Sequence, residues 1–174
     1  MKYIIHTFIK RLDEAEKTKQ SLIKLGVPEE DIDIIETYDW ETNQHLDKRN
    51  IAGRGFVDII LPTLNDDTIY LQDTIEIIKL PTEELYQKKD IVFLGFYNNR
   101  KDFIVGAKII FISKKIISIW KHEIPRLAII DRFFRREGLK YNSLGVNTKN
   151  DLFKVRPYKS FFNTKVPKKF YFLT

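Results

Sequence analysis

Cysteine is absent from the 174-residue chain. That absence removes disulfide bridges, thiolate zinc sites and cysteine nucleophiles together, and it fits a reducing compartment. Other absences narrow the chemistry further. The chain has no GxxxxGK[ST] loop, no GxGxxG after a strand-like run and no GxSxG elbow, so P-loop, dinucleotide and α/β-hydrolase readings fall away. His6, His45 and His122 lie far apart with no HExxH between them, which argues against a zinc site. No apolar run approaches the length of a membrane helix. The apolar start, MKYIIHTFI, is too short for a signal peptide and runs straight into the charged stretch KRLDEAEK. The expectation is a cytoplasmic protein with no membrane span and no disulfide partner. Ile, Lys and Asn are abundant, which fits an AT-rich genome such as a phage's, with the host cytoplasm then the compartment.

Positive charge is unevenly spread. Residues 132–174 hold eleven Lys or Arg against two acids, Glu137 and Asp151, for +9. With a total of +6, the remaining residues carry −3. A basic end on a mildly acidic body points to a polyanionic partner.

Residues 2–9, KYIIHTFI, predict a buried strand. In residues 12–25, Leu12, Ala15, Leu22, Ile23 and Leu25 recur at helical spacing among charges, a helix that Gly26 ends before Pro28. IDII at 32–35 predicts a second strand. Strand, helix, glycine and strand open an α/β unit with parallel strands. Residues 39–50 read as a polar loop. Residues 51–61 read as a helix weakened by Gly53 and Gly55 and closed by Pro62. DTIYLQDTIEI at 67–77 predicts a third strand, whose apolar residues 69–71 run into Gln72, Asp73 and Thr74. DIVFLGF at 90–96 and residues 107–112 give two more, followed by a helix with Ser113 as N-cap. Residues 126–136 predict a basic amphipathic helix, and periodicity is lost after Gly138. One domain is expected at this length.

Several residues invite a chemical reading, each beside a plainer one. His6 sits near the end of the first strand, where α/β sheets meet ligands; it also suits a hydrogen-bonded core. Lys10 and Arg11 follow that strand and suit a diphosphate, or simply solvent. Asp73 ends the third strand and suits a hard cation such as Mn²⁺ or Mg²⁺, or a turn without chemistry; Asp66 and Asp67, at the other end, read as turn residues. Asp131 lies one helical turn from Arg135, either an ion pair or a general base. Arg132, Arg135, Arg136, Lys154, Arg156 and Lys159, interleaved with Phe133, Phe134, Tyr141, Phe153, Tyr158, Phe161 and Phe162, have the composition of a nucleic-acid surface. Core aromatics with solvated lysines have the same composition.

Taken in order, YIIHTFIKRLDEAEKTKQSLIKLG, IAGRGFVDIILPTL, TIYLQDT, DIVFLGF, VGAKIIFISKKIISIW and IIDRFF resemble the GT-A glycosyltransferases, most closely the glycosyltransferase family 25 pattern. The resemblance covers most of residues 2–136. It implies a single GT-A-like (Rossmann-like) α/β domain with a central, mostly parallel sheet flanked by helices. Residues 1–136 would form the nucleotide-sugar-binding core, with 137–174 a basic, aromatic-rich extension packed on it. It implies a nucleotide-sugar donor, a UDP-sugar, with His6, Lys10, Arg11 and Gln72 at the donor and Asp73 on a divalent cation. Asp131 would be the catalytic residue. The sequence departs from the family at Gln72 and Thr74, where the family has acids. The basic end would hold a polyanionic acceptor such as a modified base in phage DNA. Two other functions stay open: a non-enzymatic nucleic-acid-binding protein, and a degenerate module that binds a nucleotide-sugar without transferring it.

Overall fold

The computed structural model describes residues 1–38, 51–94, 109–123, 140–146 and 152–156. The expected loop at 39–50 and helix at 126–136 lie outside them, as do Asp131, Arg132, Arg135, Arg136 and Lys159. The apolar runs of the sequence become the strands β1 (Lys2–Phe8), β2 (Ile32–Thr37), β3 (Thr68–Gln72), β4 (Ile75–Ile77), β5 (Ile91–Leu94) and β6 (Ile109–Ile112). The run 67–77, expected as one strand, is broken by a turn at Asp73 and Thr74, and its two parts lie in different sheets. Helix α1 spans Leu12–Lys24. Gly26 ends it with φ of 88°. The Gly26 N–H donates to the Ile23 carbonyl, and the Val27 N–H reaches back to Leu22. Those two bonds satisfy the last carbonyls of the helix, and the left-handed backbone they require is cheapest for glycine. Leu12, expected on the apolar face, is instead half exposed. Thr18 and Ser21 are buried beside Ala15 and Leu22.

The main sheet has the order β2-β1-β3-β6-β5-β7, with β7 spanning Ser143–Val146. β1 pairs in parallel with both β2 and β3, β5 pairs in parallel with β7, and β6 runs antiparallel to both its neighbours. Five strands therefore point one way and β6 points back. The sheet is mostly parallel, as expected. Strands β5 and β6 are buried along their whole length, as strands covered on both faces are. On one face Ile4, Tyr70, Phe93 and Ile110 pack with Phe56, Ile60, Ile116 and Trp120. On the other, Ile5, Ile69, Leu71, Val92 and Phe111 pack with Ala15, Leu22, Ile75 and Phe153.

Residues 51–63 run as one helical stretch in three parts: α2 (Ile51–Arg54), a π-helical turn (Gly55–Ile60) and α3 (Leu61–Thr63). Pro62 does not close this helix from outside, as expected from the sequence; it sits within α3. The Leu61 N–H reaches five residues back to the Phe56 carbonyl. The widened turn thus comes just before a residue with no N–H to give. Helix α4 (Lys114–His122) begins after Ser113 as expected, but the Ser113 hydroxyl makes no cap bond. Asp67 caps it instead, its Oδ1 accepting from the Lys114 N–H at 2.7 Å. The carboxylate also meets the positive end of the helix dipole.

After Gly138, where periodicity fades, two short strands form. β7 joins the main sheet beside β5, and β8 (Phe153–Val155) pairs antiparallel with β4. Strands of four and three residues are too short for alternation to show in the sequence.

Candidate functional site

The chain leaves β1 through α1 to reach β2 on one side. It leaves β2 through residues 51–63 to reach β3 on the other side of β1. The two connections lie on opposite faces of the sheet. The carboxyl ends of the two strands at such a reversal are the place where open α/β sheets bind ligands. Here those strands are β1 and β3. Lys10 and Arg11 follow β1 and Asp73 follows β3 directly.

Asp73 is 4 % exposed. Its Oδ1 accepts from Arg11 Nη2 at 3.0 Å and its Oδ2 from the Thr7 hydroxyl at 2.9 Å. Burial pushes its carboxyl above the usual carboxylate range, and the Arg11 guanidinium and Thr7 hydroxyl pull in the opposite direction. The backbone of Asp73 is equally engaged. Its N–H donates to the His6 carbonyl, and its carbonyl accepts from Arg156 Nη2 at 2.6 Å and from the Thr18 hydroxyl at 2.9 Å. A divalent cation prefers several oxygen ligands at about 2.0–2.6 Å. The Asp73 side chain offers two oxygens already taken by a cation and a hydroxyl. Thr74 beside it is buried, and no group of three His, Cys, Asp or Glu side chains gathers among the described residues. The described residues do not fit a metal held by Asp73.

His6 faces the opposite side of the sheet from Thr7 and lies in the interior. Its Nδ1 is 2.7 Å from the Tyr70 hydroxyl and its Nε2 is 2.9 Å from Thr37 Oγ1. The Thr37 hydroxyl donates to the Thr7 carbonyl at 3.2 Å, so it accepts from His6. That assigns the proton to Nε2 and makes Nδ1 the acceptor of the Tyr70 hydroxyl. Burial lowers the His6 pKa to about 3. Both ring nitrogens are engaged by the protein, so His6 acts inside the fold, as support for the ends of β1 and β2. Gly55 permits this arrangement. A Cβ there would lie 2.8 Å from Thr37 Cβ and Oγ1, so only glycine lets the π turn rest on the threonine that holds His6.

Arg156, expected to face a polyanion, is spent inside the fold. Its Nη2 donates to the carbonyls of Asp73 and Glu14 and to Thr18 Oγ1, its Nη1 to the Ile75 carbonyl at 3.0 Å, and its Nε to Glu14 Oε2 at 3.2 Å. It clamps the turn after β3 onto α1. The hydrogen bond from Lys17, and then that from Arg156, holds the Glu14 carboxyl below its usual range. Lys154 is exposed on β8 with Glu76 opposite it in register. Gln72 ends β3 level with His6. Lys10 is exposed, with φ of 75°. A non-glycine residue is rarely held in that left-handed region, and such strain gathers at ligand sites. Ile9 and Leu12 on either side of the Lys10–Arg11 pair are exposed to 42 % and 50 %.

Thr7, Thr18, Ser21, Tyr70 and Thr37 carry this network and were not singled out in the sequence. Thr18 and Ser21 fall on the Ala15–Leu22 stripe of α1, and polar residues on an apolar stripe were the available signal.

No protein-family model and no curated protein sequence matches the chain. Solved structures share its fold. The crystal structure of A197 from STIV superposes with a TM-score of 0.54 at 14% identity, covering 85% of this chain and 83% of that one. The glycosyltransferase GlyE of Streptococcus pneumoniae TIGR4 gives 0.51 at 9% identity over 84% of this chain, which spans 45% of GlyE. TarS 1-349 of S. aureus gives 0.51 at 12% identity, over 90% of this chain and 60% of that one. The α/β fold expected from the element order is thus a fold also found in a glycosyltransferase.

Proposed function

We propose that the chain transfers a sugar from a nucleotide-sugar donor, a UDP-sugar first among the candidates, to a hydroxyl acceptor. The reading rests on the carboxyl ends of β1 and β3, the point where the strand order reverses, with Lys10 and Arg11 following one strand and Asp73 the other. The likeness to GlyE supports it at the level of fold. Exposed Lys10 suits the charge of a diphosphate, and Ile9 and Leu12 beside it suit a nucleoside's apolar face. In the transfer, the acceptor oxygen bonds to the anomeric carbon as the bond from that carbon to the diphosphate oxygen breaks. The nucleoside diphosphate leaves and the acceptor's proton passes to a base, for which Asp131 is the candidate. The family 25 pattern is the narrower form of the same proposal.

A DNA acceptor is the further step of this proposal. It draws on Arg132, Arg135, Arg136 and Lys159, with Lys154 as the exposed described member; Arg156 lends it nothing. One observation favours a second reading: Asp73 is the lone carboxylate of Gln72-Asp73-Thr74 and is engaged internally. A module that binds nucleotide-sugars without transfer would tolerate that.

The test is a panel of nucleotide-sugars on the full chain, read by thermal shift and by release of nucleoside diphosphate. Stabilisation with turnover supports the transferase. Stabilisation by a donor with no turnover on any hydroxyl acceptor supports the module. A panel that leaves the melting temperature unmoved throughout removes both. DNA binding that weakens steeply with salt would support the polyanionic acceptor.

A further inference from the structure

A diphosphate donor brings negative charge to the ends of β1 and β3, where the Asp73 carboxylate is already paired with Arg11. Oδ1 of Asp73 is 3.0 Å from Arg11 Nη2, and both side chains are nearly buried. A divalent cation on Asp73 would displace that guanidinium or stand against it, two cations at close range with little water to screen them. The Asp73 carbonyl cannot stand in, because Arg156 and Thr18 hold it. After β1, Lys10 is an exposed cation on a left-handed backbone. The turn that carries it is tied down at Arg11, whose N–H donates to the Phe8 carbonyl at 3.0 Å and whose carbonyl accepts from the Glu14 N–H at 3.1 Å.

We infer that this chain binds a nucleoside diphosphate group without a divalent cation. Asp73 is a positioning residue that fixes Arg11 and, through it, the turn bearing Lys10; Lys10 meets the diphosphate. This rests on the nucleotide-sugar reading of the ends of β1 and β3.

The experiment is titration calorimetry of the full chain with UDP, GDP, ADP and CDP, once in EDTA and once in millimolar Mn²⁺. The expected result is one diphosphate that binds with the same Kd in both, within about twofold. Lys10→Ala should weaken it by roughly tenfold or more in both. Asp73→Asn should weaken it equally in both, since the loss is one of positioning. Should that variant fail to fold, Arg11→Met/Asp73→Leu leaves no buried charge unpaired and should fold; its affinity, however reduced, should again ignore Mn²⁺. Tightening by Mn²⁺ of roughly tenfold or more overturns the inference and leaves the nucleotide-sugar reading standing. The same holds if Lys10→Ala binds as tightly as the parent. Absence of binding to every diphosphate in both conditions overturns the inference and the reading together.

Discussion

Arg11 and Asp73 close the gap between the ends of β1 and β3, with Nη2 and Oδ1 3.0 Å apart and side chains 11% and 6% exposed. Removing one partner from such a pair strands the other's charge, which costs about 3–5 kcal/mol. Asp73→Ala and Arg11→Ala are each expected to lower unfolding free energy by about that much. The double variant should lose clearly less than the two losses added. Urea unfolding of the four proteins checks this, and additive losses would show that the pair is not coupled.

Arg156 makes its contacts with carbonyls of Glu14, Asp73 and Ile75 as well as with the Glu14 carboxylate. Five donors in a rigid fork serve such a set, and a lysine cannot reproduce it. Arg156→Lys should therefore destabilise almost as much as Arg156→Ala, by about 2–4 kcal/mol. The loss should change little with salt, because most acceptors are uncharged. If both variants melt like the parent while DNA affinity drops, Arg156 faces solvent and a polyanion after all.

The strands were legible because strands buried on both faces are written as continuous apolar runs whatever their direction, IVFL and IIFI being the plainest. Helix α1 and its glycine end were legible from spacing and punctuation. The roles of the polar residues were less so. Asp73 stood out as an acid ending a strand, but its partner depends on β1 and β3 becoming neighbours, across 62 residues of sequence. Arg156 looked like one cation in a basic tail because nothing local distinguishes it. Its position follows from β8 pairing with β4, which three-residue strands do not announce. The π turn at Gly55–Ile60 was read as a weakened helix, since glycines lower helix propensity whether or not a close approach requires them.

Gly55 offers a direct check of that close approach. A methyl group there meets the Thr37 side chain at 2.8 Å, and the contact is with Cβ as well as Oγ1, so a rotamer change does not relieve it. Gly55→Ala should cost about 1–3 kcal/mol, despite the better helix propensity of alanine. Combining it with Thr37→Ser, which removes the Cγ2 methyl that the new group would meet at 2.9 Å and keeps the hydroxyl, should recover part of the loss. Chemical unfolding of the two variants decides the matter. A Gly55→Ala protein more stable than the parent would mean that the π turn does not press on β2.

His6 sets an acid limit on stability. Its folded pKa is lowered to about 3 by burial, against about 6.5 for an unfolded histidine. Between those values the unfolded chain binds the proton and the folded chain does not, so stability falls as pH falls through 6.5 towards 3. Above that window the group contributes no pH dependence. From pH 7 to pH 5 the loss from this one residue should be about 2 kcal/mol. Replacing His6 with Gln removes the titration while retaining a donor and an acceptor, so that variant should show a flatter profile across the same range even if it is less stable at pH 7. The difference between the two urea-unfolding profiles isolates His6 from the carboxylates. Nuclear magnetic resonance of the imidazole should meanwhile report a neutral ring, protonated at Nε2, down to pH 5. A ring that titrates near 6.5 in the folded protein would mean that the Tyr70–His6–Thr37 chain is open to water.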